Sequence, residues 1–201
     1  CFMGCTALET VGDLSSLKEI PYEAFDGCTS LVSIGDLNNV ESIANEAFSN
    51  CSALEHVDKL DKITSIGQNA FKGCTALKSI GSLHNLETIG QGAFSGCSAL
   101  EHVDDLYSLT RLEYDVFSHC VSLISVDCSD KLTAIGSSAF FGCKALVSIG
   151  DLSNVTSIES SVFRGCIALK SIGNMPKLES IGMQCFMGCT ALETVGDLSS
   201  L

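Results

Sequence analysis

Phenylalanine returns every 23 residues without slippage, at Phe2, Phe25, Phe48, Phe71, Phe94, Phe117, Phe140, Phe163 and Phe186. Three residues after each stands a cysteine, from Cys5 and Cys28 to Cys166 and Cys189. Three further on stands a leucine, from Leu8 and Leu31 to Leu169 and Leu192. A fixed period of this length restricts the chain to solenoids and related arrays, in which each unit packs only on its neighbours. The units run Phe2–Ala24, Phe25–Ala47, Phe48–Ala70, Phe71–Ala93, Phe94–Val116, Phe117–Ala139, Phe140–Val162 and Phe163–Cys185, with a partial ninth from Phe186 to Leu201. No linker, charge block or low-complexity segment separates them. Residues 1–201 therefore read as one uninterrupted array of eight full units and part of a ninth.

Within the fourth unit the apolar residues are Phe71, Cys74, Leu77, Ile80, Leu83, Leu86, Ile89 and Ala93. A spacing of three, interrupted by Gly81 and Gly90, is too regular for one amphipathic helix and too sparse for alternating strands. A coil that turns corners around a flattened core accounts for it. The spacing predicts short strands over 77–80 and 86–89, each ending at a glycine, with Ser82, His84 and Asn85 supplying turn chemistry between them. It also predicts a helical or 3-10 turn over 91–94 that delivers each phenylalanine to the core. Stacked coils form parallel sheets on the faces, and Phe, Cys and Leu become files, as in Phe25, Cys28, Leu31 and Phe94, Cys97, Leu100. At about 4.8 Å per coil the rod is on the order of 40 Å long.

Composition narrows the chemistry. An apolar content of 46% with 6% aromatics and no Trp suits many small aliphatic core positions. The net charge of −13 argues against nucleic acid and anionic membrane surfaces, which need clustered Lys and Arg. No apolar run approaches the roughly 18 residues of a membrane span, so no membrane insertion is expected. Nine of the twelve cysteines share one repeat position, as buried, reduced thiols packed on their own copies would. Cys128 falls at a turn position and is the candidate for an exposed, reactive thiol.

The pattern Leu-x-x-Ile … Leu-x-x-Ile-Gly-x-x-Ala-Phe-x-Gly-Cys-x-x-Leu, carried almost entirely by residues 77–100, resembles the BspA-like, or Treponema pallidum-type, leucine-rich repeats. The likeness extends over the whole chain. One departure is the family's frequent Pro after the first strand, where Gly81, Asp104 and Gly150 stand here. The resemblance implies an extracellular or surface-attached solenoid used in adhesion and protein binding. It carries over no catalytic residue.

A longer period overlies the short one. Residues 185–201 are identical to residues 1–17, an offset of 184, or eight units. The expectation is a fragment of a tandem array that continues in both directions. Two functions follow: a structural segment of an extracellular fibre, whose partners are copies of itself head to tail, or a surface adhesin that binds host or matrix proteins. Neither needs a cofactor, and nothing in the repeat is broken to build a catalytic pocket, so an enzyme is not expected.

Four groups are candidates for more specific roles. Acids after the first strand (Asp13, Asp36, Asp58, Asp104, Asp105, Asp127, Asp151 and Asp197) would form an edge ladder in which Ca²⁺ could relieve repulsion, against the simpler reading of solvated turns. Lys59 and Ser82 interrupt that ladder. His56 and His102 lie two coils apart, roughly 10 Å by strand spacing, too far to share a metal. Sequons place candidate glycosylation at Asn154 and Asn50. Tyr107, Arg111, Tyr114 and Phe141, the last being the one Phe outside the file, form a candidate contact patch.

Overall fold

The computed structural model describes residues 2–196, 198 and 200. The chain winds as a β-solenoid of about eight coils, each contributing two short parallel strands. The first series is illustrated by Ser33–Ile34, His56–Val57, Ser79–Ile80 and Ser148–Ile149, the second by Ser42–Ile43, Ser65–Ile66, Thr88–Ile89 and Ser157–Ile158. Pairing is in the register of the repeat: His56 opposes Ser79, and Ser42 opposes Ser65, which opposes Thr88. The two strands predicted in the fourth unit are thus present, but each spans two residues rather than four. The corners take the rest, while inter-coil bonding continues past the strand ends, as in Lys78 N to Glu55 O (2.9 Å) and Gly81 N to Val57 O (2.7 Å).

Every third residue points inward, as the spacing requires. Phe71, Cys74, Leu77, Leu83, Leu86 and Ala93 are fully buried, and Ile89 nearly so. The buried residues form one continuous cluster from Ile20 to Cys185. At about 1.5–3 kcal/mol for each large aliphatic or aromatic side chain removed from water, that cluster is the main favourable term, and a single coil has nothing to bury against. Phe rings stack from coil to coil with centroids 5.2–5.6 Å apart and planes within 2–17° of parallel.

The segment before each Phe forms no helix, which corrects the expected helical or 3-10 turn. A 3-10 turn sends every N–H to the carbonyl three residues back. Here alternate N–H groups do so: Ala93 to Gly90, Ser95 to Gly92 and Cys97 to Phe94. Those between them leave the coil instead, Gly92 bonding Tyr114 O, Phe94 bonding Val116 O and Gly96 bonding Ser118 O at 2.8–2.9 Å. Positive φ at Gly92 (63°) and Gly96 (77°) turns these donors out of the local path. Trading local for inter-coil bonds is what lets the turn participate in stacking.

The cysteine file has a polar role as well as a packing one. Each thiol donates to the carbonyl of the Phe one coil back: Cys51 to Phe25, Cys74 to Phe48, Cys97 to Phe71 and Cys120 to Phe94, all at 3.1 Å. The same carbonyls already accept the N–H of the cysteine in their own coil, as Phe71 O accepts Cys74 N at 3.1 Å. The S–H therefore occupies a second lone pair that burial would otherwise leave bare. Alanine would fill less space and valine would donate nothing.

Candidate binding surface

With Phe, Cys and Leu committed to the core, two columns of residues between them run along one edge of the solenoid, buried at Ser49 and Ser118 and half-buried or exposed at most other coils. Directly after the core Phe stand Ser49, Ser95 and Ser118 in three of the coils; three residues later stand Thr29, Ser52, Thr75 and Ser98. The second column changes character from the sixth coil and the first from the seventh. The first becomes Phe141, Arg164 and Met187, and the second becomes Val121, Lys144 and Ile167. These six residues line an open groove of about 490 Å³, with His119 at its margin and no Asp or Glu among its lining residues. Ile167 and Met187 are 48% and 54% exposed.

The polar groups of this groove are held in place. The His119 ring meets Phe141 edge-on, centroids 5.0 Å apart at 90°. The Arg164 guanidinium lies 5.6 Å from the centre of the Phe141 ring, a cation–π arrangement, and donates through Nη1 to Gln184 Oε1 at 2.9 Å. Among the described residues neither Arg164 nor Lys144 is within ion-pair distance of a carboxylate. Four other cations are paired: Lys59 with Asp36, Lys18 with Glu41 at 2.6 Å, Lys78 with Glu55 at 2.8 Å, and Arg111 with Glu113 at 2.7 Å.

The four-residue contact patch expected from sequence is divided by the fold. Tyr114 and Phe141 line one shallow trough together with His119 and Arg164. Tyr107 lies apart, against Asp127 and Asp105, whose charges push its phenol pKa up. Arg111 is engaged by Glu113. Val121, Lys144, Arg164, Ile167 and Met187 were not singled out from sequence, although aligning the coils column by column displays each substitution.

Two acids of the edge ladder are engaged in turn chemistry. Asp13 and Asp151 accept the N–H of Ser15 and Ser153, each at 2.7 Å, and those bonds hold both carboxyls below the usual range. The two interrupting residues bridge the ladder: Lys59 pairs with Asp36, and Ser82 Oγ donates to Asp105 at 2.7 Å. Asp58, Asp104 and Asp127 are exposed, and Asp197 lies outside the described residues. Among the described residues, the acids that bring three oxygens within 4.8 Å are Glu23, Asp26 and Glu46, which belong to a different edge.

Cys128 corrects another expectation: it is 6% exposed, and burial pushes its thiol up to about 12. In its coil the strand lengthens to Ser125–Cys128, and a register irregularity pairs Cys128 with Leu106, turning it into the core. His56 and His102 bond Ser79 and Ser125 of the following coils at 2.9 Å and share nothing. Asn154 is half-buried; its Nδ2 donates to Asp130 O at 2.7 Å and its Oδ1 accepts from Lys177 at 2.5 Å. Asn50 is exposed at φ 59°, with Nδ2 near Ser49 Oγ at 3.1 Å.

Among the described residues no helix is long and apolar enough to cross a membrane. No curated protein matches the chain. Among solved structures it is similar to a leucine-rich repeat protein of T. pallidum, at 36% identity over 77% of this chain and 72% of the other, with a TM-score of 0.72. It also shares its fold with the pneumococcal vaccine antigen PcpA, at 22% identity over 94% of this chain and 51% of the other, with a TM-score of 0.58. Six copies of the BspA type leucine rich repeat match across residues 1–124 and 110–199. With the Phe, Cys and Leu files behind it, that match places the chain in the BspA type leucine-rich repeat family.

Proposed function

We propose that the chain is a non-enzymatic structural solenoid, one segment of a long tandem array that builds a fibre outside the cell or on its surface. The observation that carries this reading is the identity of residues 185–201 with residues 1–17, eight whole coils apart. A duplicated block in phase with the coil can be added without changing any coil-to-coil contact. Head-to-tail stacking that does not close on itself extends into a filament rather than a ring. The family resemblance supports a surface location. Electron microscopy of the native material tests the proposal: continuous filaments with an axial spacing near 4.8 Å are expected, and dispersed short rods would overturn it. In the gene, residue 202 onward should continue as Lys18-Glu19-Ile20 follow Leu17.

A second reading, a surface adhesin that binds host or matrix proteins, is supported by a different observation. The outer columns depart from the repeat together, in adjacent coils, at Val121, Phe141, Lys144, Arg164 and Ile167, and Met187, which repeats Met3 of the first coil, extends the cluster. A purely mechanical array has no need of such a cluster.

A further inference from the structure

We propose that the groove over the last coils seats an extended segment of a partner protein that carries both acidic and large apolar side chains. This refines the binding-module reading and rests on it. Its floor and rim are Val121, Phe141, Ile167 and Met187, each from a successive coil or the one beside it, and its two cations are Lys144 and Arg164. Ile167 and Met187 are exposed and Val121 and Phe141 half-buried, and apolar side chains grouped at a surface in this way mark interaction sites.

The charge distribution selects the occupant. The chain has 11 Lys and Arg against 24 Asp and Glu, yet the groove is lined by two cations and no acid. Lys144 has no carboxylate partner among the described residues. Arg164 spends one N–H on Gln184, leaving donors of its planar fork for a carboxylate. Phe141 and Gln184 already fix the guanidinium's orientation, so binding orders little that is not ordered beforehand. With 24 acids against 11 cations over the whole chain, an acidic segment is drawn to a groove that combines two cations with no acid, which sets register as well as affinity.

Length and shape favour a peptide. The lining residues span three coil steps, about 14 Å at the strand spacing, enough for roughly four extended residues at about 3.3 Å each. Each column sets one cation among apolar residues, Arg164 with Phe141 and Met187 and Lys144 with Val121 and Ile167, so a segment lying between the columns meets a carboxylate partner and apolar surface on both sides. A sulfated polysaccharide would satisfy the cations but leave the apolar rim uncovered.

The test is a selection of phage-displayed random heptapeptides on the whole chain under reducing conditions. It is followed by fluorescence anisotropy of the enriched peptides and of a heparin octasaccharide. Two sets of variants are compared: Lys144→Gln with Arg164→Gln, and Phe141→Ser with Ile167→Thr. The second set installs residues that other coils carry at the same positions, Ser95 and Thr75, so the coil is retained and circular dichroism verifies it. The expected result is enrichment of peptides that combine acidic and large apolar residues, with affinity falling at least tenfold in both sets. Enriched peptides that bind all variants equally would overturn the groove assignment and leave a binding module intact. No enrichment would overturn both. Heparin binding that is lost in the glutamine variants, without acidic peptides, would overturn the choice of occupant.

Discussion

Replacing Phe94 by Leu tests whether the aromatic file holds the coils together beyond simple burial. Phe94 is fully buried and stacks on Phe71 at 5.2 Å and Phe117 at 5.6 Å, with planes 5° and 11° from parallel. Leucine keeps most of the apolar area but removes both ring contacts, worth about 0.5–1.5 kcal/mol each. The smaller side chain leaves a void in a close-packed interior, at a further cost of roughly 1 kcal/mol. The expected loss is about 2–4 kcal/mol. Phe186→Leu is the internal comparison, because Phe186 is half-buried and stacks on Phe163 alone among the described residues. Its loss should be about half as large or less. In a one-dimensional array a central defect also weakens two interfaces and an end defect one. Urea denaturation followed by far-UV circular dichroism measures both variants. Equal losses at the two positions, or a loss below about 0.5 kcal/mol at Phe94 where two ring pairs are worth at least twice that, would refute a stabilising stack.

The thiol file makes a chemical prediction: burial pushes Cys51 and Cys120 up to about 12 and Cys97 well above its ordinary value. A thiol reagent at pH 8 should label exposed Cys5 quickly and these three only on unfolding, and rapid labelling of the folded file would contradict their placement. Glycines divide by what lies above them. A Cβ at Gly90 would fall 2.5 Å from Gly67 C, whereas one at Gly173 meets nothing within 4 Å. Gly90→Ala should cost roughly 1–3 kcal/mol, as overpacking does, and Gly173→Ala should be near neutral in the same denaturation assay. Hydrogen bonds and charge from Lys18 and Lys78 hold Glu41 and Glu55 below the ordinary value of 4.5. A depressed carboxylate contributes stability that is complete above its unfolded pKa and lost as pH falls through the folded one. The stability difference between the protein and a Lys18→Met, Lys78→Met variant should therefore be present at pH 7 and absent by about pH 3. It should be small, since both pairs are solvent-exposed, and growth of the difference on acidification would refute the pairing.

The core was legible because its signal repeats in every coil: Phe71, Cys74, Leu77, Leu83, Leu86 and Ala93 could be assigned inward from spacing alone, and they are. The helical turn was misread for want of a conformational signal. At the position two residues before Phe, positive φ is adopted by Gly92 but also by Glu23 (51°), Asn69 (54°) and Gln184 (59°), and only the glycine announces it. The cost of those left-handed residues is offset by inter-coil hydrogen bonds that one coil's sequence does not display. Cys128 was misplaced because its position forms a turn in most coils, and a register irregularity against the His102–Leu106 strand is a property of two neighbouring coils together. The groove is an intermediate case. Each of its residues is visible in the sequence, but their convergence appears only when the columns are stacked, since Val121 and Met187 are 66 positions apart.

The most direct test of the central claim, that the repeat itself is a continuous structural element, is cryo-electron microscopy of a chain carrying two consecutive 184-residue periods. Coils related by a constant 23-residue register predict one unbroken rod, about 80 Å long at roughly 4.8 Å per coil, with the Phe file running through the junction. Two separate rods joined at a variable angle would contradict it.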